Sequence, residues 1–162
     1  MIHISDIKVE GFEGPYNFLS NFSEYGFEFR GIYYPTNEHF FQAMKTLDLN
    51  KRKYISNLDS PGEAKKIGRQ VKLRDDWDDG LKHDVMKKGL YEKFTQNPEL
   101  TQRLLDTGDA YLEETNFWGD DYWGNATNTD KEGKNHLGKH LMDLRIHLQA
   151  REEFAGTQER SA

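Results

Sequence analysis

The chain contains no cysteine among its 162 residues. This absence excludes disulfide bonds, thiol catalysis and structural zinc sites of the thiolate type. Hydrophobic residues are also scarce, at 35%, but aromatic residues reach 13% and each of them buries more surface than an alanine or a valine. The composition therefore predicts one folded domain with a substantial core.

Long hydrophobic runs are missing as well. The N-terminal segment MIHISDIKVEGF has neither the basic nor the apolar region of a signal peptide. The net charge of −6 disfavours broad attachment to nucleic acid or to an anionic membrane, although it is compatible with a local basic pocket. We expect a soluble cytoplasmic protein with no membrane partner, and the sequence leaves its oligomeric state open.

Several sequence motifs of well-known enzyme classes are absent. There is no Gly-x-Ser-x-Gly motif, no P-loop and no Gly-x-Gly-x-x-Gly motif, so serine hydrolysis, phosphoryl transfer and dinucleotide redox chemistry have no support. His136 and His140 have the i, i+4 spacing of a helical metal pair, but HExxH is missing and spacing supplies no third ligand. We expect a partly solvated histidine face, no metal and no other cofactor.

The order of elements predicts an α+β fold that is mainly helical, with a few short strands. We expect a single domain over 1–152 and a polar, disordered tail over 153–162. Ser60 and Glu63 have the spacing of a capping box at the start of one helix. The predicted elements are a strand over 4–9, a hairpin over 26–34, helices over 36–47, 51–57, 60–71, 78–96 and 98–105, a strand over 110–115, and a last helix over 135–152.

The most informative segment is 118–124, which we name the tryptophan loop. Trp118 and Trp123 are each followed by glycine, and Asp120 and Asp121 lie between them. Aromatic walls, a main chain that permits close approach and a carboxylate are typical of a ligand pocket. The alternative is that the tryptophans belong to the core and the glycines only turn the chain. Trp77 is open to the same two interpretations.

A second segment, 133–139, predicts a loop that leads into the last helix. Asn135 is expected to be the N-cap of this helix, and a helix N-terminus attracts anions such as phosphate. Gly138 lies beside the leucine stripe of the helix, where a small residue permits close packing. With the tryptophan loop, this segment suggests a nucleotide-like ligand whose sugar lies near an acid.

Glu38, Gln42 and Lys45 fall at i, i+4 and i+7 on one face of a predicted helix, and Phe41 borders that face. The ordinary explanation is a solvated polar stripe. The alternative explanation is that the Glu38 carboxylate and the Lys45 amine contact the same ligand. Acids, a lysine and aromatic walls suit cleavage of a glycosidic bond, because positive charge develops on the sugar and a carboxylate stabilises it.

At these residues the chain resembles the NADAR (YbiA-like) family. The match follows the family's order along most of the chain. The matching segments are NFLSNF (17–22), YPTNEHFFQAMK (34–45), SPGEAKKIGR (60–69), DW (76–77), 86–94, the tryptophan loop, and 133–145.

The resemblance implies hydrolysis of N-glycosidic bonds without a metal. The substrates it implies are ribosylamino-pyrimidine intermediates of riboflavin synthesis or ADP-ribose on guanine. The partner is thus a small nucleotide-like molecule or ADP-ribosylated guanine in nucleic acid. The predicted catalytic residues are Glu38, Lys45 and Asp120. Of these, Asp120 matches the acid of the family's Asp-x-x-Trp-Gly motif, although Asp121 could exchange roles with it. The predicted substrate-binding residues are Asn21, Phe22, Gln42, Trp77, Trp118, Trp123, Gly124, Asn135 and Gly138.

Two roles follow from the resemblance. Glu38 would lie near the anomeric carbon, where it stabilises charge or orients water. Lys45 would either protonate the leaving amine or form an imine with ring-opened ribose, and the resemblance favours the imine. Trp123 is preferred to Trp118 as the residue that faces the ligand. The alternatives are a non-catalytic module that binds ADP-ribose or a related nucleotide, and a structural module with a vestigial pocket.

Overall fold

The computed structural model describes residues 7–161, and the side chains of residues 7–157. The fold class is α+β and mainly helical, as the sequence predicts. The main elements in this range are β1 (Lys8–Glu10), β2 (Phe27–Phe29), β3 (Ile32–Tyr34), α1 (Asn37–Ala43), α2 (Leu49–Ser56), α3 (Pro61–Gly68), α4 (Lys82–Gln96), α5 (Pro98–Leu105), β4 (Tyr111–Glu113), β5 (Thr115–Asn116), β6 (Asn125–Ala126) and α6 (His136–Ser161).

Tertiary contacts divide the chain into two compact units. The central unit is Ser20–Asn97 and contains β2, β3 and α1 to α4. The terminal unit combines Met1–Leu19 with Pro98–Ala162 and contains β1, β4 to β6, α5 and α6. Residues 4–6 of the predicted first strand lie outside the described residues, and β1 begins at Lys8.

In the central unit, α1 packs against α2, α3 and α4. The antiparallel pair β2 and β3 forms the predicted hairpin, and both residues of its turn have positive φ, 50° at Arg30 and 83° at Gly31. That geometry matches the twist of the two strands. Phe40 of α1 contacts the rings of Phe27 and Tyr34 at 5.2 and 5.4 Å between centroids. The hairpin and α1 therefore share one aromatic core.

Side chains cap two helix starts in the central unit, of which the cap at Ser60 was predicted. The Ser60 hydroxyl accepts the Glu63 N–H at 3.1 Å, which confirms Ser60 as the predicted N-cap. The Glu63 carboxylate accepts the N–H of Asp59 at 3.1 Å rather than that of Ser60, so the return bond of the capping box is shifted by one residue. Asp48 caps α2, which begins at Leu49. Local side-chain hydrogen bonds thus determine where these helices begin.

Helix ends were predicted less well. α1 ends at Ala43 rather than at 47, because the N–H of Lys45 and of Thr46 bond three residues back and the chain then turns into α2. Leu47, the last residue of the predicted helix, is therefore exposed. α3 ends at Gly68 rather than at 71. α4 begins at Lys82 rather than at 78, after a π-helical turn over Trp77–Leu81.

In the terminal unit, β1 and β4 pair in parallel with Val9 opposite Leu112, and both of these side chains are buried. α6 packs on β4 and α5. It continues to Ser161 rather than ending at 152. This segment has no proline and is rich in good helix formers. No helix within residues 7–161 is long and apolar enough to cross a membrane.

Candidate active site

Glu38 lies in the first turn of α1 with only 7% of its surface exposed. Its carboxylate accepts a hydrogen bond from the Gln42 amide at 2.7 Å, and its N–H donates to the Asn21 carbonyl at 3.0 Å. Gln42 is also buried. The interpretation of this face as a solvated stripe is therefore wrong, and the structure brings together three of the predicted site residues.

The loop at 20–23 carries Asn21 and Phe22 beside α1. The Asn21 side-chain oxygen accepts a hydrogen bond from the Asn37 amide at 2.8 Å, which ties the loop to the start of the helix. The Ser23 hydroxyl donates to the Ser20 carbonyl at 2.7 Å and closes the loop on itself. Phe22 is 43% exposed. The loop therefore presents an aromatic ring while its main chain supports the N–H of Glu38.

Lys93 supports this loop from α4, and the sequence reasoning missed its role. It is fully buried, and its ammonium group donates to the Ser20 carbonyl and to the Ser23 hydroxyl, each at 2.9 Å. A signal was available, because Lys93 lies three and seven residues after the core residues Leu90 and Met86. A lysine at a core position of an amphipathic helix indicates a specific buried partner.

Lys45 follows the end of α1, and its ammonium nitrogen lies 5.8 Å from the centre of the Phe41 ring. Burial lowers the pKa of Lys45, while the Glu38 carboxylate acts in the opposite direction; the charges of Arg69 and Lys65 lower the pKa further. Burial thus outweighs the carboxylate. Since only the deprotonated amine is nucleophilic, this direction increases the neutral fraction of Lys45 at any given pH.

Trp77 is part of the core. Only 4% of its surface is exposed, and its ring lies 5.2 Å from that of Phe41. The prediction that Trp77 is a stacking platform for substrate is wrong, and the alternative interpretation as a core anchor is confirmed. Its position at the start of the π-helical turn explains the burial, because that turn leads into α4 and packs with it.

The tryptophan loop belongs to the terminal unit and is organised by its own acids. The Asp120 carboxylate accepts the N–H groups of Tyr122 at 3.1 Å and of Trp123 at 2.9 Å. The Asn116 side chain bonds both the N–H and the carbonyl of Asp120. The Asp121 carboxylate accepts the Thr129 hydroxyl at 3.1 Å. These contacts give both acids a role in shaping the loop, and the catalytic role of Asp120 stays a prediction.

The two tryptophans of the loop differ in exposure. Trp118 is 55% exposed and contacts the more exposed Phe117 edge to face, at 5.3 Å between ring centroids. Trp123 is partly buried against Tyr122, at 5.0 Å, and against His140, at 6.3 Å. Trp118 is therefore the more accessible ring. The preference for Trp123 as the ligand-facing residue stays a prediction.

The glycines of this region have a packing role. A Cβ at Gly124 would collide with the Glu114 carbonyl, and one at Gly138 would collide with the Leu112 carbonyl. Their small size thus permits close approach of the protein's own main chain. This agrees with the expected close packing at Gly138, whereas substrate binding by either glycine stays a prediction.

Asn135 precedes α6 with a φ of 49°, but its side chain does not bond the helix as the N-cap prediction requires. It donates to the Leu112 carbonyl at 2.9 Å and accepts the Glu114 N–H at 3.0 Å. The first N–H groups of α6 donate to the Tyr122 carbonyl at 3.2 Å and the Trp123 carbonyl at 3.0 Å. Because these donors are occupied, the predicted phosphate site at this helix end is not supported.

The histidines of α6 form an aromatic surface. The rings of His136 and His140 stack with 6.4 Å between centroids, and His136 also contacts the Tyr122 ring at 4.7 Å. In the part of the chain that the structure describes, no three His, Asp or Glu side chains are grouped so that they could hold a metal ion.

This mainly helical α+β protein contains a buried carboxylate and a lysine whose pKa is lowered, and such groups are typical of enzyme active sites. Comparison with protein families agrees with this class. The NADAR domain matches residues 10–149, and the match extends over both units. The chain belongs to the NADAR family.

Similar proteins have names that describe one kind of chemistry. The N-glycosidase YbiA of Escherichia coli (strain K12) is 41% identical over 135 residues, which are 82% of each chain. A riboflavin biosynthesis protein of Vibrio vulnificus is 34% identical over 83% of this chain and 36% of its own length. The NMR structure of E. coli YbiA superposes with a TM-score of 0.78 at 38% identity, covering 90% of this chain and 86% of that one.

Proposed function

We propose that this chain hydrolyses the N-glycosidic bond of a ribose phosphate or ADP-ribose adduct. The general activity is that of its family, so the chain is an enzyme, a hydrolase that acts on N-glycosyl bonds. The substrates we propose are a ribosylamino-pyrimidine intermediate of riboflavin synthesis and ADP-ribosylated guanine. The observation that carries the proposal is the buried Glu38 carboxylate near a lysine whose pKa burial lowers.

We propose that the Glu38 carboxylate lies next to the anomeric carbon of the substrate. When the N-glycosidic bond breaks, positive charge develops on the ribose ring, and a carboxylate in a site of low dielectric stabilises that charge better than one in water. The hydrogen bond from Gln42 and the N–H bond to Asn21 fix the position of Glu38 before the substrate arrives. A fixed charge requires little reorganisation during the reaction.

Lys45 is the residue that we assign to the covalent step. The neutral amine attacks C1′ of the ribose, the bond from C1′ to the base breaks, and the base leaves with the bonding electrons and takes up a proton. The new glycosylamine loses its amine proton and opens its ring: the bond from C1′ to O4′ breaks, O4′ takes up a proton, and a C=N bond forms to Lys45. Water then hydrolyses the imine, releases ribose as its aldehyde and restores the amine.

The first experiment measures base release from both proposed substrates by purified protein. Glu38→Gln keeps the size of the side chain and removes its charge, so we expect the turnover number to fall by about 100-fold or more while folding is retained. Glu24→Gln, at an exposed acid of the same unit, is the matched control and should behave as wild type. The proposal fails if wild type releases no base from either substrate, or if Glu38→Gln is as active as wild type.

A second experiment tests the covalent step. Borohydride reduces an imine to a stable amine, so substrate and borohydride together should leave a ribose-derived adduct on Lys45, which peptide mass spectrometry locates. Lys45→Arg should give no adduct. Full turnover by wild type without any trapped adduct would replace the imine by Glu38-assisted attack of water. A non-catalytic nucleotide-binding module would instead bind the substrate in calorimetry and leave it intact.

A further inference from the structure

The main chain at Lys45 lies just outside α1. The helix ends at Ala43, and Met44 is its C-cap. The N–H groups of Lys45 and Thr46 bond three residues back, in a tighter turn than that of an α-helix. Because the helix does not continue, no next turn supplies donors to the carbonyls of Met44, Lys45 and Thr46. The place of the Lys45 amine therefore depends on what else holds this turn.

Two arginines donate hydrogen bonds to these three successive carbonyls. Nε of Arg52 donates to the Thr46 carbonyl at 2.8 Å. The main-chain N–H of Arg74 donates to the Lys45 carbonyl at 3.1 Å, and its Nη1 donates to the Met44 carbonyl at 3.4 Å. The turn is thus bonded both from α2 and from the segment that precedes the π-helical turn.

The two arginines differ in how firmly they hold the turn. Arg52 is buried, with 8% of its surface exposed, although taking a guanidinium out of water costs free energy. Its bond to the Thr46 carbonyl is short, and a planar charged donor in a packed site restrains its acceptor strongly. Arg74 is partly exposed and its side-chain bond is longer, so we expect Arg52 to contribute more.

The segment that contains Arg74 also supports the aromatic ring beside the amine. The Arg74 carbonyl accepts the N–H of Trp77 at 3.1 Å, and the Trp77 ring lies 5.2 Å from that of Phe41. The Lys45 ammonium nitrogen in turn lies 5.8 Å from the centre of the Phe41 ring. One segment therefore bonds the main chain of Lys45 and backs the ring that its amine lies against.

We propose that Arg52 and Arg74 are positioning residues for Lys45, because their bonds fix the turn that places the amine beside Phe41. This proposal rests on the proposed function, which assigns the covalent step to Lys45. A lysine side chain is a flexible four-carbon stem, and an error of about 1 Å in the place of a reacting group can cost about 100-fold in rate. A fixed main chain removes one source of that error. Neither arginine contacts the substrate in this arrangement.

Steady-state kinetics of Arg52 variants provide the first test. Arg52→Met removes the donor, and we expect kcat to fall about tenfold or more while KM changes less than twofold, because the amine moves and the binding groups stay. Arg52→Lys keeps a cationic donor and should recover part of the loss. Lys53→Met, exposed on the same helix, is the matched control and should behave as wild type. A rise in KM at unchanged kcat would overturn the proposal.

Ile55→Val separates poor positioning from a general loss of stability. Ile55 is buried on the same helix, so the smaller side chain loosens the packing without removing a bond to the turn. Activities are compared at a temperature where circular dichroism shows each variant to be folded. If Arg52→Met is as active there as Ile55→Val, the arginine only stabilises the fold and the proposal is wrong.

Arg74→Met tests the other side of the turn. The main-chain N–H bond to Lys45 remains in this variant, so we expect a smaller fall in kcat than in Arg52→Met, about threefold, with KM unchanged. If Arg52→Met does not fold, this variant decides the matter. A kcat equal to that of wild type would then overturn the proposal, and a fall at unchanged KM would support it.

The pKa of the Lys45 amine, followed by NMR on protein with labelled lysine, is a readout that needs no turnover. Burial lowers this pKa, and the charges of Glu38, Arg69 and Lys65 also act on it. These three groups remain in Arg52→Met, so hydration of a loosened Lys45 should raise its pKa towards the ordinary value of a lysine. Lower amide order parameters at Lys45 should accompany the rise. A rise without them would assign the shift to the lost charge and overturn the proposal.

The same NMR measurement separates the positioning role from the proposed function. A raised pKa of Lys45 and lower order parameters in Arg52→Met support the positioning role even if wild type hydrolyses no N-riboside, in which case only the proposed function fails. Unchanged values in Arg52→Met, when wild type does hydrolyse its substrate, would exclude the positioning role and leave the proposed function intact.

Discussion

The two groups of predicted site residues are built in opposite ways. In the central unit, Glu38 is buried and bonded to Gln42, and the loop at 20–23 is bonded to the buried Lys93. In the terminal unit, Asp120 bonds the main chain of its own loop, and Trp118 is exposed. The first arrangement fixes a few reactive groups in a desolvated site. The second stiffens a loop locally and leaves an aromatic surface open to contact.

The difference indicates a division of roles between the groups. A carboxylate and an amine change their chemistry when they are buried, because desolvation shifts pKa values and strengthens electrostatic interactions. An aromatic ring that stacks on a base needs exposure rather than burial. Reactive residues are therefore expected among the buried groups of the central unit.

The largest expected effect separates a core tryptophan from an exposed one. Trp77→Ala should lower the free energy of unfolding by about 3–5 kcal/mol, because it removes a buried ring that packs on Phe41. Trp118→Ala should change it by about 0.5 kcal/mol or less, because the ring is exposed. Urea unfolding measures the stability of both variants. Equal losses of stability in the two variants would show that Trp77 contributes no more to the core than Trp118 does.

The next effect tests the support beneath the loop at 20–23. Lys93→Met keeps the length of the side chain but removes two hydrogen bonds from a charged donor, which contribute about 1.5–3 kcal/mol each, partly offset by relief of a buried charge. We expect a net loss of about 2–3 kcal/mol in unfolding free energy and a lower turnover number. Lys87→Met, exposed on the same helix, is the control and should be nearly neutral. A neutral Lys93→Met would show that the loop needs no support.

A smaller effect concerns the contact between α3 and Gln42. Gly68→Ala introduces a Cβ that collides with the Gln42 side chain, so we expect a loss of about 1–3 kcal/mol in stability together with reduced activity. Gly62→Ala lies in the same helix with ordinary space around its Cβ and should stabilise the protein by up to about 1 kcal/mol. Thermal unfolding and turnover of both variants check the comparison. If both stabilise equally, the contact with Gln42 is not tight.

The smallest effect is a dependence of stability on pH in the central unit. Burial lowers the pKa of His39 below 6.5, and its ring is hydrogen-bonded to Thr36 and to the Leu58 carbonyl. The unfolded chain therefore binds the proton first, so stability is complete above pH 6.5 and is lost as the pH falls through that value towards the pKa of the folded state. The slope is at most about 1.4 kcal/mol per pH unit for one proton.

His39→Gln should flatten this profile in urea unfolding measured between pH 7.5 and 5. An unchanged slope in His39→Gln would assign the acid sensitivity to other groups.

Sequence patterns correctly predicted the turns, caps and helix bounds that depend on neighbours within a few residues along the chain. The hairpin turn at Arg30 and Gly31, the N-cap at Ser60 and the bounds of α5 all follow from local hydrogen bonds and allowed dihedral angles. Helical spacing and the family resemblance together predicted Glu38 and Lys45 as site residues of the central unit. Helix ends were predicted less well, because the last turn of α1 depends on how the chain enters α2.

The sequence by itself determined that this chain is a mainly helical α+β member of the NADAR family, and it predicted Glu38 and Lys45 as catalytic residues. Only the tertiary structure decided that Glu38 and Gln42 are buried, that Trp77 is core, and that Lys93 supports a loop 70 residues away in sequence. It also decided the direction of the pKa of Lys45. The physical reason is that burial and electrostatic fields sum over groups that are close in space, whereas sequence spacing reports only on neighbours along one helix or turn.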